Sequence, residues 1–276
     1  MNVMKLVNTS DSIYSIGGVT SSFTYNNYGN SPYYNILSQK KHLSTGESLI
    51  TRYQYASDLL GQLSNMDRLV NSNRVGIPIV TQTSKGVGTS KQISLIKCTY
   101  KYISKQRKDG LAVDLLLPES IYTAQDDTVA SSLEKRISYD NYDEYGNIVQ
   151  YTADGVNGVI LWGYDGQYPI ADIKGATYEE VMAALGFSPE SISKNSIPDM
   201  VQVDSLRVKL PNAFVITYIY QPLVGVISST DPSGITTYYD YDDFNRLKRA
   251  YIKEKDSSGN EIEKNIQTYD YHYKNQ

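Results

Sequence analysis

Cysteine and histidine are almost missing from this sequence. Its 276 residues include one cysteine, Cys98, and two histidines, His42 and His272. A single thiol excludes an internal disulfide and a thiolate-built metal site. Two imidazoles leave little for histidine-dependent acid–base chemistry. Basic charge is not in excess: 26 Lys and Arg stand against 30 Asp and Glu, a net charge of −4. That balance excludes a general nucleic-acid binder, which needs a basic footprint for phosphate. Long apolar runs are absent too. The best, AFVITYIY over residues 213–220, falls well short of the roughly 18 residues a membrane span requires. The first 18 residues hold no apolar core of signal-peptide length. Phenylalanine and tryptophan are scarce, at 4 and 1, whereas tyrosine occurs 26 times. Tyrosine favours strands and suits a half-wet surface, where the ring packs and the hydroxyl reaches water or a backbone group.

The last third reads as a meander. FVITYIY, LVGVISST, ITTYYDY, RLKRAYIKE and EIEKNIQTYDYHY are β-prone runs separated by QP, DPSG, DDFN and KDSSGN. Period-two alternation places Phe214, Ile216, Tyr218 and Tyr220 on one strand face. It does the same for Ile235, Thr237, Tyr239 and Tyr241, and for Tyr269, Tyr271 and Tyr273 with His272 opposite. Residues 139–173 return the same pattern. Earlier, strands are expected over residues 23–25, 48–55 and 92–103, and a helix over residues 59–71 from the spacing of Leu59, Leu63, Met66 and Val70. Residues 176–210 differ. Thr177 and Glu180 form a capping box, Val181, Met182 and Leu185 follow at helical spacing, and Gly186 suits the left-handed stop. Met200, Val203, Leu206 and Leu210 share a second helical face that ends at Pro211. The expected fold is therefore mainly β, an antiparallel hairpin sheet forming an open meander or part of a shell. Residues 1–136 make a divergent β-rich region with one helical segment. Residues 137–276 make a second region with a helical insertion at 176–210.

One short pattern recurs. Residues 25–30 (YNNYGN), 142–147 (YDEYGN) and 241–247 (YDDFNRL) share Tyr, then Asp or Asn, then an aromatic before Gly or Asn. Tyr142 and Tyr241 would end strands, Asp143 and Asp242 would bond backbone N–H groups of the turn, and Gly146 and Asn245 would take φ > 0. Asn147 would open the next strand. Asp231 and Gly234 bracket a further type I turn with Pro232 at its second position. This motif resembles the YD repeat of the RHS (rearrangement hot spot) family. The resemblance runs most clearly from about residue 137 to the end, through YDEYGN, LWGYDGQYPIADI, ATYEEVMAALG, LRVKLPNA and the segment ending YDDFNRL. It looks like the C-terminal part of such proteins in Bacteroidetes-type bacteria.

The resemblance implies a β-rich, secreted or surface protein of a Gram-negative bacterium, without a known enzyme activity. In that family long YD arrays form a spiralling sheet that can close as a shell around a toxic C-terminal domain. Here the copies are few, the family's DPxG motif is matched once, by Asp231 to Gly234, and no toxin domain follows Tyr273. The chain thus resembles the end of a longer product or a reduced member. Upstream YD repeats or a protein partner are the expected contacts, and an isolated first strand is expected to self-associate through its edge.

Sites with chemistry were weighed against plain structural roles. Gly86 to Lys91 lacks the Gly-Lys-Ser/Thr ending of a phosphate loop, and no Gly-x-Ser-x-Gly elbow exists. Asp240, Asp242 and Asp243 could collect calcium, but turn capping explains them. Asp143, Glu144, Asp165 and Asp172 supply carboxylates for glycoside hydrolysis only if they converge in space; solvated turn positions are the simpler reading. Trp162, Tyr164 and Tyr168 could stack on a sugar, or simply pair across strands. No catalytic residue, cofactor or metal ligand is assigned. The leading expectation is a non-enzymatic structural or interaction module. The alternatives are a carbohydrate-binding module and a shell fragment of a polymorphic toxin system.

Overall fold

The computed structural model describes residues 5–15, 18–30, 32–125 and 133–271, and side chains of 11–21 are not considered. His272 and Tyr273 lie outside the described residues. Among the described residues sixteen strands form an antiparallel meander in which every strand is hydrogen-bonded to its neighbours in chain order. Contacts divide the chain into two units. One comprises Met1–Lys105 and Ala112–Tyr139, the other Gln106–Leu111 and Asp140–Gln276.

The first unit contains β1 (Asn8–Ser15), β2 (Gly18–Tyr28), β3 (Ile36–His42), β4 (Ser48–Tyr55), β5 (Pro78–Gly86), β6 (Lys91–Gln106) and β7 (Ala112–Gln125), and the start of β8 (Glu134–Tyr142). A single sheet has two wet faces and no interior, so its core must be supplied by whatever lies on it. Here a 3-10 turn (Ala56–Leu59) and α1 (Met66–Asn71) interrupt the meander between β4 and β5. Ala56, Leu59, Met66 and Leu69 bury against Ile79 and Tyr100 of the sheet. The helix expected over residues 59–71 is thus two short pieces. Gly61 and Asn65, at φ 72° and 64°, break it.

The second unit contains the end of β8, then β9 (Ile148–Ala153), β10 (Val156–Gly163), β11 (Tyr168–Lys174), β12 (Phe214–Gln221), β13 (Gly225–Thr230), β14 (Thr236–Tyr241), β15 (Leu247–Lys255) and β16 (Glu261–Thr268). Between β11 and β12 stand α2 (Tyr178–Leu185), α3 (Glu190–Ser193) and α4 (Met200–Lys209). The capping box forms: Glu180 N–H donates to Thr177 Oγ1 at 3.2 Å, and Thr177 N–H donates to Glu180 Oε2 at 2.8 Å. Gly186 ends α2 at φ 87°. Asp199 caps α4 by accepting from the N–H groups of Val201 and Gln202. One face of β10, β11 and β12 presents Val159, Leu161, Ala171, Ile173 and Val215, and the helices cover it with Val181, Val203 and Leu206. Each of the Val, Leu and Ile side chains among them, fully buried, stabilises by about 1.5–3 kcal/mol. Arg207 fastens α4 to the sheet, donating to the Val215 carbonyl, Thr217 Oγ1 and the Thr230 carbonyl.

Two strand expectations are corrected. β16 stops at Thr268, so Tyr269 and Tyr271 do not continue a regular strand face, although Tyr269 N–H still donates to the Lys248 carbonyl at 2.9 Å. The strand before the YNNYGN motif runs through it to Tyr28, and Gly29 is absent from the positive-φ glycines. Residues 25–30 are therefore a strand end, not a third copy of the turn. The bend falls later, with Tyr34 at φ 53°.

Candidate functional site

The recurring unit of this molecule is a turn. Among the described residues six hairpins close in one geometry, at residues 43–47, 107–111, 143–147, 231–235, 242–246 and 256–260. In each, the N–H of the first residue donates to the carbonyl of the fifth, and the N–H of the fourth donates back to the carbonyl of the first, at 2.9–3.3 Å. The fourth residue has φ > 0: Gly46, Gly110, Gly146, Gly234 and Gly259 at 81–86°, and Asn245 at 58°. This is a type I turn followed by a left-handed residue. Asp143 Oδ1 accepts from the N–H groups of Tyr145 and Asn147, both at 2.9 Å. Asp242 and Asp256 repeat the pair of bonds, and Asp231 accepts from Ile235 N–H. The aromatic of the YD motif is not what makes the turn. The glycine in fourth place is the common signal, and it marks residues 43–47, 107–111 and 256–260, which the aromatic pattern misses.

A second regularity lies in the strand pairing. Register shifts occur opposite Tyr28, Tyr55, Ser84, Tyr122, Trp162, Tyr220, Tyr241 and Tyr251. The extra residues on the partner strands are Leu37, Ile79, Ile93, Arg136, Ile170, Ile227, Lys248 and Ile266 in the same order. A bulge leaves ladder carbonyls without their usual donor. Tyrosine hydroxyls fill that need. Tyr55 donates to the carbonyl of Ile36, the residue paired with Tyr28. Tyr241 donates to the carbonyl of Val226, paired with Tyr220, and Tyr271 to that of Leu247, paired with Tyr241. Trp162 also donates to a backbone carbonyl, through Nε1 to that of Ile148 at 2.8 Å. Phenylalanine cannot donate, so it could not replace tyrosine at these positions.

Glycines accept the rings. A Cβ on Gly158 would fall 2.2 Å from Tyr151 Cζ, one on Gly166 would fall 2.3 Å from the Tyr145 ring, and one on Gly225 would fall 2.5 Å from the Tyr241 hydroxyl. At each of these glycines a side chain would collide with the tyrosine that takes its place.

Electrostatics separates two otherwise matching turns. Burial pushes the Asp143 carboxyl above its ordinary range, against the hydrogen bonds from Asn147 and Tyr145 that pull it down. The Arg246 guanidinium, bonded to Asp242 Oδ2 at 2.8 Å through Nε, holds the Asp242 carboxyl below that range. Beside Asp143, the buried Glu144 accepts from Lys108 N–H at 3.1 Å and pairs with Lys194 at 3.3 Å. Lys108 Nζ bonds Asp165, and Asp165 also accepts from Ser196. These carboxylates serve as acceptors for turn and helix-end donors.

Of the candidate stacking residues, Tyr164 and Tyr168 share an aromatic group with Tyr220. Tyr164 meets Tyr168 edge-on at 5.6 Å, and Tyr168 stacks on Tyr220 at 4.8 Å. Their hydroxyls are engaged, Tyr164 with the backbone of Tyr220 and Tyr168 accepting from Leu223 N–H. Trp162 is not among those ring contacts. Asp240 pairs with Arg249, so neither it nor Asp242 presents a free carboxylate for a cation. Residues 86–91 form the β5–β6 hairpin bend, where Thr89 N–H donates to the Val87 carbonyl. His42 Nδ1 lies 3.0 Å from Ser48 Oγ on the neighbouring strand. Among the described residues no three His, Cys, Asp or Glu side chains gather as a metal site, and no helix is long and apolar enough to cross a membrane.

No family model and no curated protein matches the sequence. Three solved structures are similar to it at 10% identity: crystal structures of TcdB2-TccC3 without its hypervariable C-terminal region, of TcdB2-TccC3, and of TcdB2-TccC3-TEV, with TM-scores of 0.35, 0.30 and 0.20. Each comparison covers 89% of this chain and 13% of the other, so the chain spans a small part of the length of the proteins it is similar to.

Proposed function

We propose that this chain is a non-enzymatic structural and interaction module, a stretch of YD-repeat sheet belonging to a secreted or surface protein of a Gram-negative bacterium. The observation that carries the reading is repetition. The Asp-to-backbone turn and the tyrosine-to-carbonyl clamp recur along the sheet, and each uses its polar groups internally. Catalysis instead gathers unlike groups in one cleft with unpaired reactive atoms. The terminal strand supports an interaction role. β16 is exposed along its whole length and carries Glu261, Glu263 and Lys264, with the extra residue Ile266 kinking it. Charge and a bulge are devices that keep an edge from pairing with unintended strands. Upstream YD repeats or a protein partner would pair at the other edge, β1.

Immunoblotting of the cells that make the protein, with protease added outside, tests the reading. The expected result is a product larger than 31.0 kDa that external protease degrades. A product of 31.0 kDa protected inside the cell would overturn it. A shell role in a toxin system is the narrower form of the same reading, and co-purification of a toxic domain with the chain would favour it.

A further inference from the structure

One copy of the YD-like motif does not make the recurring turn, and what it makes instead is concave. YNNYGN ends β2, and a longer connection, residues 29–35, leads to β3. Gly29 N–H closes that connection on the Asn35 carbonyl at 2.8 Å, and Asn35 Nδ2 ties it to the Val75 carbonyl at 2.8 Å. Within it Tyr34 holds φ 53°, a left-handed setting that strains an aromatic residue and that glycine would take freely. The connection and the 3-10 turn wall a cavity of about 330 Å³, lined in part by Tyr33, Tyr34, Leu37, Tyr55 and Asp58. That volume is at the small end of the range for ligand sites. A strained tyrosine kept where the local rule asks for glycine points to a use for its side chain.

The rings define the ligand. Tyr55 is 5% exposed and its hydroxyl is engaged by the Ile36 carbonyl, so it offers the cavity ring surface and no free donor. Aromatic faces carry negative potential and attract cations. A cation is already drawn to this place. Lys5 Nζ lies 4.7 Å from the centre of the Tyr34 ring and 5.5 Å from that of Tyr28, and it donates to the Gly29 carbonyl at 3.4 Å. Asp58 adds a carboxylate to the wall. Its Oδ2 accepts from Tyr55 N–H at 2.9 Å, and a carboxylate has room for further contacts. Rings and one acid suit a cation that brings charge without N–H donors. We infer that this cavity binds a quaternary ammonium group of the choline type. Its methyl groups lie on Tyr33, Tyr34 and Tyr55, Asp58 offsets its charge, and Lys5 competes with it. This goes beyond the scaffold reading, which stands whether or not the cavity is filled.

The test is calorimetry of the whole chain with choline and with its uncharged isostere, in which a tert-butyl group replaces the trimethylammonium. Choline is expected to bind about tenfold more tightly than the isostere. Tyr34→Gly relieves the left-handed strain while removing a ring. Asp58→Asn keeps an oxygen for Tyr55 N–H while removing the charge. Each is expected to weaken choline binding by about fivefold with melting retained. Lys5→Met removes the competing ammonium and is expected to tighten binding by about twofold or more. Sedimentation with phosphatidylcholine vesicles, set against phosphatidylglycerol vesicles, tells a lipid head group from a free ligand as the source; either source supports the site. The inference is overturned if choline binds no better than the isostere, if both cavity variants bind as tightly as the parent, or if Lys5→Met binds no more tightly.

Discussion

Removing the hydroxyl of Tyr241 isolates the clamp from everything else the ring does. Tyr241→Phe keeps the aromatic volume over Gly225 and deletes only the bond to the Val226 carbonyl, 2.9 Å long. A net hydrogen bond of this kind contributes about 1 kcal/mol, and the loss grows toward about 3 kcal/mol where the orphaned carbonyl is shut off from water. Val226 is half-buried, which sets the expectation for Tyr241 near the lower figure. Tyr55 is 5% exposed and its bond to the Ile36 carbonyl is 2.7 Å, so Tyr55→Phe belongs nearer the upper figure. Tyr238 supplies the control, because it stacks on Tyr251 at 5.4 Å but its hydroxyl has no bond among the described residues. Tyr238→Phe should be neutral. In a chain of this size each 1 kcal/mol moves the melting temperature by roughly 2–4 °C, within reach of calorimetry or circular dichroism. If the three variants melt together, the hydroxyls stabilise nothing, and the tyrosine excess reflects strand propensity and packing alone.

Other consequences follow from the same geometry. Gly146→Val places a β-branched residue at φ 86° and should cost about 1–3 kcal/mol; unchanged melting would refute the turn assignment. Asp143→Asn and Asp242→Asn should behave oppositely with pH. Asp143, with its carboxyl raised in the fold, loses stability as pH rises through the raised value, so the cost of Asp143→Asn, which gives up the bond from Asn147 Nδ2, shrinks toward pH 7. Asp242, with its carboxyl lowered, contributes above the ordinary carboxylate range and loses the contribution on acidification, so Asp242→Asn destabilises at pH 7 and the difference fades in acid. Denaturation series over pH 3–7 separate the two, and parallel curves would sink the assignment. Gly158→Ala should displace Tyr151 and cost about 1–3 kcal/mol. Adding Tyr151→Ala should return part of that loss in a double-mutant cycle, and strict additivity would show that the ring does not occupy the glycine's space.

Much of the architecture was legible locally. The capping box of Thr177 and Glu180, the left-handed stop at Gly186 and the hairpin bends at 143–147, 231–235 and 242–246 follow from residues within one turn of each other. The failures have a common cause. YNNYGN matches the motif letter for letter in its aromatic and glycine, yet pairing with β3 extends β2 to Tyr28 and moves the bend beyond Gly29. Leu59, Leu63, Met66 and Val70 keep helical spacing, but Gly61 and Asn65 between them take φ > 0 and divide the run. The aromatic group was legible only in part: Tyr164 and Tyr168 meet edge-on, and the third ring, Tyr220, lies 52 residues beyond Tyr168 in the chain and reaches it because β12 pairs with β11.

The amino-acid sequence by itself determined the strand-prone runs, the helix caps and most of the hairpin turns, because turn chemistry, capping and period-two alternation act between residues a few positions apart. Only the tertiary structure decided where the clamping tyrosine hydroxyls go and which strand carries each extra residue. Those outcomes depend on cross-strand register, and a shift of one residue in that register sends every side chain to the opposite face.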